Sequence, residues 1–297
     1  MSPNADINPR RLRGGALALA ILAGALVALV SAPSALANTT QSSNWAGYAV
    51  HRSGVRFTKV VGTWRQPEAN CTGSSASPSY SSVWVGIGGF ALNSQALEQI
   101  GTETDCSPTG QTVSSAWYEL VPAPSRSIHL RVDPGDRMSA SVSVKGHQTK
   151  LTLRDLTRRT SFTRSVRDKT VDVSSAEWIV EAPSECTSAN SCQTLNLANF
   201  GTAAFSSARA TSTKGHTGSI SDRHWGTTKI MLATGQRQFI GSTSSAAQAS
   251  PSVLTAGGSA FSVTYQAAGS ATTSNRTRQA HISALGRLRP GGGRRAR

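Results

Sequence analysis

Glu177 and Glu181 bracket a short run of strongly β-forming residues, Ala176-Glu177-Trp178-Ile179-Val180-Glu181. Side chains on a strand alternate faces, so Glu177, Ile179 and Glu181 point one way and Trp178 and Val180 the other. The Trp/Val face reads as core. The glutamate face looks either into solvent, the ordinary place for strand carboxylates, or into a cleft, where paired carboxylates can do acid and base work.

Several other chemistries are excluded by inspection. The chain has no G-x-S-x-G elbow, H-E-x-x-H, Walker loop or G-x-G-x-x-G, and none of the Asp-Thr-Gly or Asp-Ser-Gly loops of pepsin-like enzymes. The six histidines are scattered. His216 and His224 are the closest pair, and loop or strand positions suit them better than a ligand role. Serines are abundant without an obvious His/Asp partner nearby in sequence, a weak test because triads assemble in space.

The element that carries Glu177 must sit in a larger body, and the ends come off first. Residues 1–37 read as a secretion signal: Arg10, Arg11 and Arg13, then an apolar stretch over Gly14–Val30, then the A-x-A pattern Ala35-Leu36-Ala37. Residues 270–297 read as a basic tail, with the composition shifting at about Ser274 and ending Gly291-Gly292-Gly293-Arg294-Arg295-Ala296-Arg297. It has no hydrophobic period and cannot repay its ordering entropy, so it is expected to be disordered. The tail holds about half of the formal +15 charge and could touch polyanions weakly. No aromatic platform or recognition helix accompanies it, so a specific nucleic-acid partner is not expected.

The stretch between, 38–269, has the length of one β-sandwich or barrel domain. Only 15% of the chain is charged, and Ser, Thr, Gly and Val dominate this part. Alternating runs follow one another: Val55–Thr63, Ser82–Ile87, Thr112–Leu120, Ser127–Val132, Met138–Val144, Lys150–Leu156, Ala176–Val180, Lys229–Leu232 and Ala260–Gln266. Turn formers such as Asp133-Pro134-Gly135-Asp136 separate them. No amphipathic helix of ten or more residues stands out, and no later segment could span a membrane. The pattern predicts an all-β, antiparallel, two-sheet sandwich of the concanavalin-like or jelly-roll type. Four cysteines in an exported chain suggest disulfides, with three connectivities open. The short spacing favours a Cys186–Cys192 staple, leaving Cys71 and Cys106 to join two loops; neither pair has the spacing of a zinc site.

Six segments in order carry a resemblance: Ser43-Asn44-Trp45-Ala46-Gly47-Tyr48, Gly62-Thr63-Trp64-Arg65-Gln66-Pro67, Trp84-Val85-Gly86-Ile87-Gly88-Gly89, Leu97-Glu98-Gln99-Ile100-Gly101-Thr102, Ala116-Trp117-Tyr118-Glu119 and the Glu177 run itself. Together they closely resemble the glutamic peptidases, or eqolisins (peptidase family G1), over Asn44 to about Gln266. The resemblance implies a sandwich whose concave face is the substrate cleft, a Gln/Glu catalytic dyad, and no metal or cofactor. By position Gln99 corresponds to the catalytic glutamine and Glu177 to the catalytic glutamate. Trp84 matches a tryptophan lining the cleft, Glu119 and Glu103 supporting acidic residues, and Trp45 and Glu181 complete the supporting set. Three departures stand out. Gly88 and Ser115 replace acidic residues of fungal members, little room remains for a propeptide after Ala37, and the chain is strongly basic.

The chemistry of such a dyad follows from general principles. An ionised glutamate takes a proton from water and returns it to the leaving nitrogen, while a carboxamide N–H stabilises the oxyanion. The sequence therefore predicts a secreted, monomeric endopeptidase acting on proteins or peptides on the acid side of neutrality. Two other readings use the same residues: a carbohydrate-binding or lectin-like sandwich with Trp84 and Trp117 as sugar platforms, and a glycoside hydrolase pairing Glu177 with Glu119 or Glu181.

Overall fold

The computed structural model describes residues 38–72, 77–188, 191–233 and 247–268, with backbone alone at 186–188 and 191–192. The expected signal segment and basic tail lie outside the described residues. Among the described residues no helix is long and apolar enough to cross a membrane.

The chain is built from strands: β1 (Asn38–Ser42), β2 (Trp45–His51), β3 (Phe57–Arg65), β4 (Ser82–Gly88), β5 (Leu97–Cys106), β6 (Thr112–Val121), β7 (Arg126–Ile128), β8 (Arg137–Lys145) and β9 (Gln148–Asp155) come first. After them come β10 (Thr160–Arg167), β11 (Ser175–Glu181), β12 (Ser184–Ser188), β13 (Ser191–Thr194), β14 (Thr202–Ser212), β15 (Thr217–Ser219), β16 (Gly226–Ala233), β17 (Gln248–Pro251) and β18 (Phe261–Gln266). A single 3₁₀ turn, Ala256–Gly258, is the one helical element described.

The strands run side by side in the order β10-β9-β8-β3-β14-β18-β17-β16-β2-β11-β4-β5-β6-β7. All these neighbours are antiparallel; β1 adds a parallel pairing to β16. The expected sandwich is present, with one refinement. Its two layers belong to a single hydrogen-bonded path that turns over through the short β17, and β3, β8, β9 and β14 then pack across β4, β5 and β11.

Alternation explains the core between the layers. Val83, Val85 and Ile87 of β4, Ile100 of β5 and Ala176, Trp178 and Val180 of β11 meet Val60, Met138, Ala140, Val142, Leu151 and Leu153 from the other layer. Two tryptophans cross the interface with satisfied N–H groups. Trp178 Nε1 donates to Val61 O at 2.7 Å, and Trp64 Nε1 to Thr102 Oγ1 at 3.0 Å. Buried indoles need such partners.

Cys71 and Cys106 are joined in a disulfide that ties the loop before β4 to the end of β5. Cys186 and Cys192 stand opposite one another across the β12–β13 hairpin, as a local staple requires, but their side chains lie outside the described residues. The predicted run Ser127–Val132 is strand only through β7. Beyond it Leu130 N–H turns back on Ile128 O at 2.8 Å.

Candidate active site

The face of β11 that carries Glu177 is turned away from the inter-layer core, and register decides what it meets there. Across the sheet one row reads Thr228 (β16), Ala49 (β2), Glu177 (β11), Gly86 (β4), Gln99 (β5) and Glu119 (β6). Opposed residues of antiparallel strands share a face. Glu177 and Gln99, 78 positions apart in sequence, are thus two strands apart, about 9.5 Å at neighbour spacings of roughly 4.8 Å. Between them stands a residue with no side chain. A Cβ at Gly86 would lie 2.9 Å from Leu97 Cδ1 and Trp84 Cζ3 and 3.3 Å from Gln99 Cβ, so the glycine keeps the gap clear.

Neighbouring rows supply the surroundings. Gly47, Ile179, Trp84, Gly101 and Trp117 form one; Trp45, Glu181, Ser82, Glu103 and Ser115 form the next. Ala49, Trp84, Leu97, Trp117, Ile179 and Ile230 make an apolar cluster on this face, with Trp45 and Phe90 against it. The result is an apolar patch holding a few polar groups, the usual composition of a small-molecule or peptide site.

Each polar group is fixed differently. Gln99 Nε2 donates to Glu119 Oε2 at 2.6 Å. An acceptor-only carboxylate settles the amide orientation and leaves the second N–H and the buried, unpartnered Oε1 for another molecule. Glu181 accepts from Trp84 Nε1 at 2.8 Å and Asn44 Nδ2 at 2.9 Å. Ser115 Oγ donates to Glu103 Oε2 at 2.9 Å, so the serine that departs from the fungal pattern supports an acidic neighbour. Glu177 is 0% exposed, and neither carboxylate oxygen has a well-formed protein hydrogen bond. Buried polar atoms are nearly always partnered. Glu98 on the opposite face is unpartnered as well, and what distinguishes Glu177 is the row it shares with the open Oε1 of Gln99.

Burial governs the electrostatics. It raises the Glu177 carboxyl well above its ordinary value, with Asp172 and Glu98 adding to it and the Ser175 hydroxyl offsetting part. Glu181 is pushed up to about 7 by burial, against the bonds from Trp84, Trp45 and Asn44. Burial also raises Glu119 and Glu103. Carboxylates thus crowd this part of the sheet, each raised by burial. Glu119 acts on Glu181, while the negative charge beside Glu177 is that of Asp172; Glu98, itself pushed up to about 9, adds its charge only where it ionises.

Asp172 was not among the expected site residues. It lies in the β10–β11 link, takes Ser94 Oγ at 2.5 Å and Ser174 N–H at 2.8 Å, and these bonds hold its pKa low despite burial. It also fills the place that an acidic side chain at position 88 would need. Gly88 has φ +86°, and a Cβ there would lie 2.6 Å from Asp172 O. A cavity of about 420 Å³ opens beside Asp172, lined by Asn93, Ser94, Gln95, Thr170 and Ser174 among others; neither Glu177 nor Gln99 lines it. Glu98 points the other way, into the inter-layer core, where it pairs with Ile87 and Leu120. Alternation would have shown that Glu98 and Gln99 face oppositely; nothing local shows Asp172 arriving from another link.

The tryptophans do not offer open platforms for sugar: Trp84 is 0% and Trp117 7% exposed. The carboxylates a glycosidase would pair with Glu177 are already engaged, Glu119 by Gln99 and Glu181 by Trp84 and Asn44.

Comparison with known proteins bears on the fold and the family. Residues 43–255 match the family model described as the Peptidase A4 family. A structure of scytalido-glutamic peptidase with a peptide-based transition state analog is similar, with 26% identity and a TM-score of 0.58, covering 76% of this chain and 99% of that one. So is SCP-B, a member of the eqolisin family in complex with the tripeptide Ala-Ile-His, with 25% identity, a TM-score of 0.55 and the same coverage. No curated protein sequence matches significantly. A family match over most of the chain, on a sandwich of this design, makes the protein a member of the Peptidase A4 (eqolisin) family and a glutamic-type peptidase.

Proposed function

We propose that the protein is a secreted endopeptidase in which Glu177 and Gln99 act as the dyad on a water molecule held between them above Gly86. The observation that carries this reading is the shared row: a buried carboxylate with two open oxygens and a carboxamide with one open oxygen and one open N–H, separated by a bare glycine.

Ionised Glu177 takes a proton from the water as its oxygen attacks the scissile carbonyl carbon. The carbonyl π electrons move onto oxygen, and the free N–H of Gln99 donates to that oxyanion. Collapse re-forms the carbonyl, breaks the C–N bond, and returns the proton from Glu177 to the leaving nitrogen. Glu119 keeps Gln99 in orientation. Glu181, Trp84 and Trp45 brace the neighbouring row, and Glu103 with Ser115 the far side. A neutral amide suits the oxyanion position, where a second carboxylate would repel the developing charge.

Working pH on the acid side of neutrality is part of the proposal. Glu177 must lose its proton to act as base, while Glu181, and Asp105 further along β5, both at about 7, would load the buried face with charge once the pH passes that value. Export through residues 1–37 rests on the sequence pattern.

Hydrolysis of unfolded casein is the test. Glu177→Gln is expected to lose about 10³-fold or more of kcat/KM, within reach of a general base together with its proton return. Gln99→Ala is expected to lose on the order of 10²–10³-fold, the usual cost of one oxyanion donor. Both variants should keep the parent circular dichroism. Full activity in folded Glu177→Gln would move the base to another group.

A further inference from the structure

A second constellation lies off the strands that carry the carboxamide and carboxylate. His216 sits in the β14–β15 turn, and Asp222 and His224 in the link from β15 to β16; their donor atoms all fall within 4.8 Å of one another. His216 Nε2 is 3.0 Å from Asp222 Oδ2, and His224 Nδ1 is 2.7 Å from Asp222 Oδ1. The two rings approach to 3.7 Å between centroids. Two imidazoles and one carboxylate converge from two separate turns.

The backbone holds this arrangement. His224 N–H donates to Asp222 Oδ1 at 2.8 Å, Ser212 N–H to His216 O at 2.9 Å, and Trp225 Nε1 to Ser219 O at 3.1 Å. Gly218 makes room for the carboxylate, since a Cβ there would fall 2.1 Å from Asp222 Oδ2. Arg52 reaches this link and donates to the main-chain carbonyls of Arg223 and His224, while the ion-pair partners of the Asp222 carboxylate are His216 and His224.

We propose that His216, Asp222 and His224 form a binding site for a divalent transition ion, best matched by Zn²⁺. Imidazole nitrogen and carboxylate oxygen suit that ion, and three protein ligands leave a fourth, water-filled position. The ion is taken by Nε2 of His216 and Nδ1 of His224, the nitrogens that now face Asp222, and any proton displaced from them on binding passes to the other ring nitrogen or to solvent. Oxygen-seeking Mg²⁺ is a poor match. Bound ion ties the β14–β15 turn to the entry of β16, the strand beside β2, and thereby stabilises that corner of the sandwich without touching the dyad.

The untagged full-length chain, stripped with a chelator and desalted, is titrated with zinc chloride at about pH 7.5, where imidazole is available. Calorimetry, Tm and Trp225 fluorescence are read; Trp225 lies 5.5 Å from His216, centroid to centroid. One ion per chain, a raised Tm and no response to magnesium chloride are expected. The His216→Asn/His224→Asn double variant should bind at least about tenfold more weakly. His224→Gln alters a half-exposed side chain, so its metal-free Tm should equal the parent's and its zinc-dependent rise should vanish, which keeps the test valid if the double variant fails to fold. Zinc binding weaker than roughly 1 mM by the parent, or an undiminished Tm rise in His224→Gln, overturns the proposal.

Discussion

Glu177 is a carboxylate whose surroundings oppose its ionisation, and its pH dependence follows. Burial is the largest cause of its raised pKa, and Asp172 contributes through its negative charge. A base must be deprotonated in the free enzyme, so the acid limb of kcat/KM is expected above the ordinary glutamate value. Removing the Asp172 charge relieves part of this. Asp172→Asn should move the acid limb to lower pH by a few tenths to about one unit, the scale of one neighbouring charge. A pH profile on a peptide substrate checks both statements. A limb unmoved in Asp172→Asn would show that the titrating group is not the one beside it.

At the scale of elements, the site depends on a gap in β4. Gly86→Ala would place a methyl carbon 2.9 Å from Leu97 Cδ1 and Trp84 Cζ3 and 3.3 Å from Gln99 Cβ. These are side-chain atoms that can shift, so the fold should survive with a loss of about 1–3 kcal/mol, the usual cost of overpacking. Displacing Gln99 from Glu177 by a fraction of an ångström should cost far more in turnover, on the order of 10²-fold in kcat. Urea unfolding beside steady-state kinetics separates the two effects; unchanged kcat would mean that the gap is not used. Elements also show where sequence patterns fade. β10 is an edge strand, mostly exposed, and β14 alternates small residues with Thr, Ser and Arg, so neither carries a strong apolar signal. β2 and β5 are hidden for another reason. They are buried on both faces, and continuous burial erases the alternation that marks a half-exposed strand.

For the whole molecule, the buried carboxylates set how stability varies with pH. Glu98 is 0% exposed, and burial, with Asp168 and Asp172, pushes it up to about 9 from an ordinary 4.5. Folded Glu98 therefore keeps its proton over a range where the unfolded chain has lost it. Unfolding releases that proton, so its contribution is complete below about pH 4.5 and is lost as the pH rises toward 9. Asp105 and Glu181, raised to about 7, act in the same direction over a lower window. The fold is expected to be more stable on the mildly acid side than above pH 7, while in stronger acid protonation of Asp155, Asp172 and Asp222, held low in the fold, takes stability away again. Glu98→Gln should flatten the decline, adding about 1–3 kcal/mol at pH near 8 and little at pH near 4. Guanidinium unfolding across that range measures it, and equal gains at both ends would remove Glu98 as the cause.

The sequence by itself determined the strand character of the chain, the face on which Glu177 stands, the oppositely facing Trp178, and the order of segments that marks the family. These are local properties, written in a period of two and in short runs of residues. Tertiary structure alone decided that β4 lies between β5 and β11, that Gly86 stands between Gln99 and Glu177, that Asp172 comes beside them, and that Asp222 gathers His216 and His224. Strand order and register arise from pairings between segments far apart in the chain, and alternation fixes only which face a side chain takes, never which neighbour it finds there.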